Sequence, residues 1–212
     1  MTLPDASLNP LVGVVDLLRH GKVQGGACFR GSTDDPLTVE GWQTMERAAN
    51  ALSPPWQQIT SSPLLRCRLL AETLSRKHAT ALQVEAGFRE ICFGEWEGRR
   101  ADEILASDGK RLTQFWQDPE RYSPPGGETM ADFKKRVLRA WYTLIDGVDG
   151  THQLLITHGG VVRVILADLL GLSMMATFAL ELPWASVTRI HLVRSLHDPL
   201  LTPQLAFLGE VG

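Results

Sequence analysis

Four side chains stand out for chemistry, two histidines and two arginines, each beside a point where an apolar run stops. Arg19 and His20 precede Gly21 at the end of one run, and His158 precedes Gly159-Gly160 at the end of another. Arg66 falls one helical turn after Ser62-Pro63. An imidazole can attack an electrophile or carry a proton, and a guanidinium fork matches an oxyanion with two parallel N–H bonds. Gathered in one place, these groups would repel one another unless an anion lay between them. A phosphoryl group fits both the forks and the backbone N–H groups of nearby helix starts.

The order of elements gathers them. Residues 11–20 read as a buried strand, short, rich in valine and leucine and stopped by Gly21. Residues 38–52 read as an amphipathic helix with Trp42, Met45, Ala49 and Leu52 at helical spacing, ended by Pro54-Pro55. Residues 56–62 read as a second strand. Ser62 is predicted to cap the next helix, Pro63 to open it, and Leu65, Leu69, Ala71 and Leu74 to cover the core. Residues 86–127, rich in Gly, Pro, Trp and charge, read as an insertion covering the site. A helix over 128–145, a strand over 152–157, a helix over 159–170, a strand over 186–193 and an edge strand within 204–209 complete the chain. Alternating strands and helices predict a three-layer αβα sandwich around a mainly parallel sheet, one domain over residues 1–212. Ligands of such sheets bind at the carboxyl ends of strands, and a right-handed crossover puts Arg66 at the same rim as both histidines.

Composition excludes several function classes. The 212 residues are 44% hydrophobic and 21% charged, enough to bury one core. A net charge of −3 offers no basic field to nucleic acid or an anionic membrane. Cys28, Cys67 and Cys92 stand apart, without the spacing of a disulfide framework or zinc cluster. The first residues have no positive start before an apolar run, so no secretory signal is read there. The apolar stretch 161–184 contains Arg163, Asp168 and Glu181, which makes it core helix and loop rather than a span. A cytoplasmic protein is expected.

The set of motifs, more than any one of them, resembles a known family. Arg19-His20-Gly21, then SPLLRC at 62–67, FREICFGEWEGR at 88–99 and THGG at 157–160 occur in the order seen in the histidine phosphatase superfamily, in its phosphoglycerate-mutase-like branch. The third segment matches L-x-E-x-x-F-G-x-W-E-G, with Phe88 where leucine is commoner. The stretches DDPLT-x-x-GW at 34–42 and PPGGET at 124–129 agree. The resemblance implies a phosphoglycerate-mutase-like fold and a phosphohistidine intermediate. His20 would be the nucleophile, with Arg19, Arg66 and His158 holding the non-bridging oxygens. Glu90 would protonate the leaving oxygen and later take a proton from water, in a partly apolar setting by Phe93 and Trp96. Gly21 and Gly159 would supply substrate-binding backbone. No metal or cofactor is called for, because the cationic side chains take that place. The partner expected is a small phosphorylated substrate with inorganic phosphate as product, and a homodimer is left open.

Blander readings stand beside these. Arg19 could pair with a carboxylate, Glu95 or Glu97 could replace Glu90 as donor, and Trp96 and Trp116 could touch substrate. Trp42, Trp56 and Trp141 read as core, and Lys134-Lys135-Arg136 as a solvated helix face. His78, His152, His191 and His197 lie off the rim. After Arg19-His20-Gly21 many family members continue E-T-x-x-N, whereas this chain has Lys22, Val23 and Gly26 at those places. Backbone N–H groups of the Gly25-Gly26 turn would replace the missing asparagine. The segment from Gly25 through Arg30 to Trp42 looks most like α-ribazole-phosphate phosphatases, with Arg30 a candidate substrate contact. Hydrolysis of α-ribazole 5′-phosphate or a similar small phosphoester is therefore the expected reaction. Mutase-type phosphoryl transfer and a non-catalytic phosphate-binding module are the alternatives.

Overall fold

The computed structural model describes residues 11–52, 56–148, 150–194 and 201–210. Pro54-Pro55 and His197 lie outside them. Six strands form one sheet in the order β3-β2-β4-β1-β5-β6. They are β1 (Leu11–Arg19), β2 (Gln58–Ser61), β3 (Ala81–Val84), β4 (His152–Thr157), β5 (Val187–Arg194) and β6 (Leu201–Glu210). The first four run parallel, and β5 and β6 add an antiparallel edge. The mainly parallel αβα architecture expected from the sequence is thus present.

Alternation along the central strands feeds both faces. Val15 and Leu17 of β1 and Leu155 of β4 face α4 (Met130–Asp146) and α5 (Gly159–Leu170), which supply Phe133, Val137, Trp141, Val161 and Ile165. Leu18, Leu154 and Ile156 face the opposite way. They pack on α1 (Val39–Ala51) and α2 (Leu65–His78) through Met45, Ala49, Cys67 and Leu70. Burying such side chains stabilises the sandwich by about 1.5–3 kcal/mol each.

Local details depart from the sequence reading in four places. Strand β3 has an exposed, nearly featureless pattern, Ala81-Leu82-Gln83-Val84, and it was not anticipated. Inside the segment read as irregular, α3 (Ala101–Gln117) packs Ile104, Leu112 and Phe115 on Trp96. On α2, Leu69 is exposed and Cys67 and Leu70 take the core positions instead. Ser62 does not cap α2, whose N-cap is Leu64 with no side-chain bond; its hydroxyl is engaged by His158. Among the described residues no helix is long and apolar enough to cross a membrane.

Candidate active site

Strands β2, β4 and β1 are neighbours and parallel, so their carboxyl ends share one edge. His20 leaves β1 there with its backbone N–H bonded to the Thr157 carbonyl (2.9 Å). His158 leaves β4 beside it, and the two rings meet edge to face with centroids 5.2 Å apart. Arg66, in the first turn of α2, donates through Nε to His158 Nδ1 (3.3 Å). Three of the predicted residues therefore form one contiguous group.

The two imidazoles are held differently. A carbonyl only accepts, so the 2.8 Å bond between His20 Nδ1 and the Gly21 carbonyl puts the proton on Nδ1 and leaves the Nε2 lone pair free. In His158, Nδ1 accepts from Arg66, so Nε2 carries the proton and donates to Ser62 Oγ (2.7 Å). His20 is 7% exposed, and burial, followed by Arg66 and Arg19, pushes its pKa down to about 3. Burial, then Arg66, also holds His158 well below the ordinary histidine range. Both rings are neutral at physiological pH.

That has a consequence for stability. Between the folded pKa of about 3 and the unfolded value near 6.5, the unfolded chain binds a proton at His20 that the folded chain does not. Stability must then fall as pH drops below about 6.5. For His20 the loss reaches about 2 kcal/mol at pH 5, since each pH unit is worth about 1.4 kcal/mol. Urea unfolding in phosphate-free buffer at pH 7.5 and pH 5 checks this. His20→Asn should lose less stability across that interval than the native chain, and equal losses would refute the assignment.

The cationic wall is built on main chain. Arg66, 1% exposed, donates Nη1 to the Thr33 carbonyl (2.7 Å) and Nη2 to that of Gly31 (2.8 Å), which leaves two N–H groups over. Arg19 donates Nη1 to the Leu182 carbonyl, while its buried Nε has no partner. Among the described residues Arg19 forms no ion pair.

Glu90 faces the same place from residues 86–97. Its oxygens accept from the backbone N–H groups of Ile91 (3.0 Å) and Gly160 (3.0 Å). A Cβ at Gly160 would sit 2.2 Å from Glu90 Oε1, and one at Gly159 would sit 3.3 Å from Arg19 Nε. The paired glycines after His158 thus let a carboxyl and a guanidinium approach the start of α5. Arg19, Glu90, Gly159 and Gly160 line a cavity of about 270 Å³.

Glu97 and Arg30 hold loops. The Glu97 carboxylate accepts from the backbone N–H groups of Gly31, Ser32, Thr33 and Phe93 and from the hydroxyls of Ser32 and Thr33. Burial raises its pKa, but these bonds outweigh it and hold the value at about 2. Glu97 therefore stays ionised and pins the loop whose carbonyls Arg66 grips. Arg30 pairs with Asp35 (2.7 Å) and donates to the carbonyls of Gln24 and Gly26, so it braces the Gly25-Gly26 turn, and its charge is the smallest of those that lower the His20 pKa. His152 bonds buried Asp16 at the opposite end of the sheet (2.6 Å). Trp116 lines the cavity, whereas Trp96 lies buried beneath it.

Two arginines were missed. Arg136 is no part of a solvated face: it bonds the carbonyls of Gly87, Arg89 and Glu90 and both oxygens of Glu128, fixing the segment that presents Glu90. Its place in the buried stripe 133-136-137-140-141 was the available signal. Arg163 lines the cavity one turn after Gly159-Gly160 and donates to the carbonyls of Thr177 and Leu180.

The chain is similar to known proteins in sequence and in fold. Probable phosphoglycerate mutase GpmB of Salmonella choleraesuis (strain SC-B67) is 30% identical over 179 residues, 83% of each chain. The structure of Bacillus stearothermophilus YhfR superposes with a TM-score of 0.84 at 27% identity, over 94% of this chain and 98% of that one. A putative alpha-ribazole-5′-P phosphatase from Escherichia coli K-12 shares the fold, with a TM-score of 0.81 at 21% identity over 95% and 98% of the two chains. The model of the histidine phosphatase superfamily (branch 1) matches residues 15–197, and this chain belongs to that family.

Proposed function

We propose that the chain hydrolyses small phosphomonoesters through a phosphohistidine on His20. The observation that carries this reading is the His20 imidazole, neutral, with Nε2 free and Nδ1 locked to the Gly21 carbonyl, beside a guanidinium wall. Nε2 attacks phosphorus and the bond to the leaving oxygen breaks. Arg19 and Arg66 carry the charge on the non-bridging oxygens, His158 braces the Arg66 guanidinium from behind through Nδ1, and the unpartnered Nε of Arg19 is a donor in waiting. Glu90 gives its proton to the leaving oxygen, then takes one from the water that attacks the phosphohistidine. Inorganic phosphate leaves, and His20 returns neutral. A mycobacterial glucosyl-3-phosphoglycerate phosphatase, 25% identical, has been solved with inorganic phosphate, which supports a phosphate-sized anion here.

Chain length does not separate hydrolysis from phosphoryl transfer, because the match to the probable mutase covers equal shares of both chains. Exposure of the cavity favours hydrolysis: Trp116 and Phe178, both on its lining, are 44% and 53% exposed, so its mouth is open to water. Among substrates, α-ribazole 5′-phosphate is the one the 25–42 segment favours.

The test is a phosphomonoester screen with chelator present, including p-nitrophenyl phosphate, α-ribazole 5′-phosphate and 3-phosphoglycerate. Release of inorganic phosphate unaffected by chelator is expected, with α-ribazole 5′-phosphate the preferred ester. Isomerisation of 3-phosphoglycerate outrunning hydrolysis would establish the mutase reading instead. Tight phosphate binding without turnover would establish a binding module.

A further inference from the structure

The polar groups on the cavity lining are few. Arg19 and Glu90 mark the end where phosphorus and the leaving oxygen sit, and Arg163 has Nη1 committed to two carbonyls of its own wall. The remainder is apolar: Phe29, Phe93, Phe115 and Trp116 on one side, Met174 and Phe178 on the other. The first wall is braced edge to face, with Phe29–Phe93 centroids 5.1 Å and Phe93–Phe115 centroids 6.3 Å apart. The Arg163 guanidinium lies 5.2 Å from the centre of the Phe178 ring and steadies the second wall. Exposed aromatic rings facing one another across a cleft are expensive to leave in water unless something fills the space between them.

We propose that this cleft is a leaving-group subsite that selects phosphomonoesters whose alcohol carries an aromatic ring, over those bearing a carboxylate. The proposal rests on the phosphatase reading for the position of the phosphoryl group. Its volume, about 270 Å³, falls just below pockets for drug-sized ligands, so a leaving group of roughly one or two rings fits. A glyceryl carboxylate placed there would lose its water and gain, at most, the remaining N–H groups of Arg163.

Two measurements separate the subsite from the chemistry. The first compares kcat/KM for 3-phenylpropyl phosphate, glycerol 3-phosphate and 3-phosphoglycerate, all primary alkyl esters with leaving oxygens of similar basicity. A preference of about 30-fold for the phenylpropyl ester is expected, chiefly in KM. Trp116→Ala and Phe178→Ala, both at exposed positions that tolerate truncation, should each cut that ratio by about fivefold or more. The second measures calorimetric binding of 3-phenylpropylphosphonate against methylphosphonate, with the same preference expected. Parity among the esters, or preference for 3-phosphoglycerate, overturns the subsite while leaving hydrolysis intact. Selective arylphosphonate binding without hydrolysis of any ester upholds the subsite and overturns the phosphatase reading.

Discussion

His20→Ala is expected to abolish the covalent intermediate and to lower kcat for p-nitrophenyl phosphate by at least about a thousandfold, or about 4 kcal/mol of barrier. The choice of His20 over His158 follows from their partners. Both nitrogens of His158 are bonded, to Arg66 and Ser62, so attack from that ring would require breaking a buried contact. His20 has one nitrogen committed and one free. Its neutrality across the physiological range means that a nucleophile is present without prior deprotonation. The measurement is rapid acid or base quench with labelled ester: an acid-labile, base-stable phosphoenzyme in the native chain, none in the variant. Phosphate binding should persist in His20→Ala, because Arg19 and Arg66 are positioned by main-chain carbonyls rather than by the lost ring. Wild-type turnover by the variant would remove the phosphohistidine mechanism altogether.

How much of this was legible beforehand depends on whether a feature is written in local pattern or in long-range contact. The rim was legible: apolar runs stopped by glycine place His20 and His158 at strand ends, and parallel pairing then does the rest. The arginine–loop scaffold was not. Arg66 grips carbonyls of Gly31 and Thr33, more than thirty residues away, and Glu97 holds the same loop from over sixty away. Nothing in spacing announces such pairs. Arg136 was hidden by its neighbours, since two lysines before it made the run look solvated although the helical stripe pointed it inward. Helix α3 escaped because charge and a non-helical residue at Asp108 blur its period. Ser62 was assigned the local role its sequence suggests, and tertiary contact with His158 won.

Glu90→Gln separates the two halves of the reaction. The alternatives for proton donor narrow on geometry: Glu97, with a pKa of about 2, has no proton to give near neutrality, and Glu95 is exposed and does not line the cavity. With an alkyl phosphate the leaving alkoxide is strongly basic and needs a proton as the bond breaks, so kcat/KM should fall by about 10²–10⁴. With p-nitrophenyl phosphate the leaving group departs unaided, so phosphorylation of His20 should stay fast. Removal of the phosphoryl group still needs a base for water, so it becomes limiting. Stopped-flow traces of Glu90→Gln should therefore show a burst of p-nitrophenol equal to the enzyme concentration, followed by a slow steady state. The substitution also replaces one acceptor oxygen with an NH2 group, weakening either the Ile91 or the Gly160 contact. Misplacement alone would depress both esters by a common factor, with no burst. Equal losses for good and poor leaving groups would thus reduce Glu90 to a positioning residue, whereas a leaving-group-dependent loss together with a stoichiometric burst assigns it the proton.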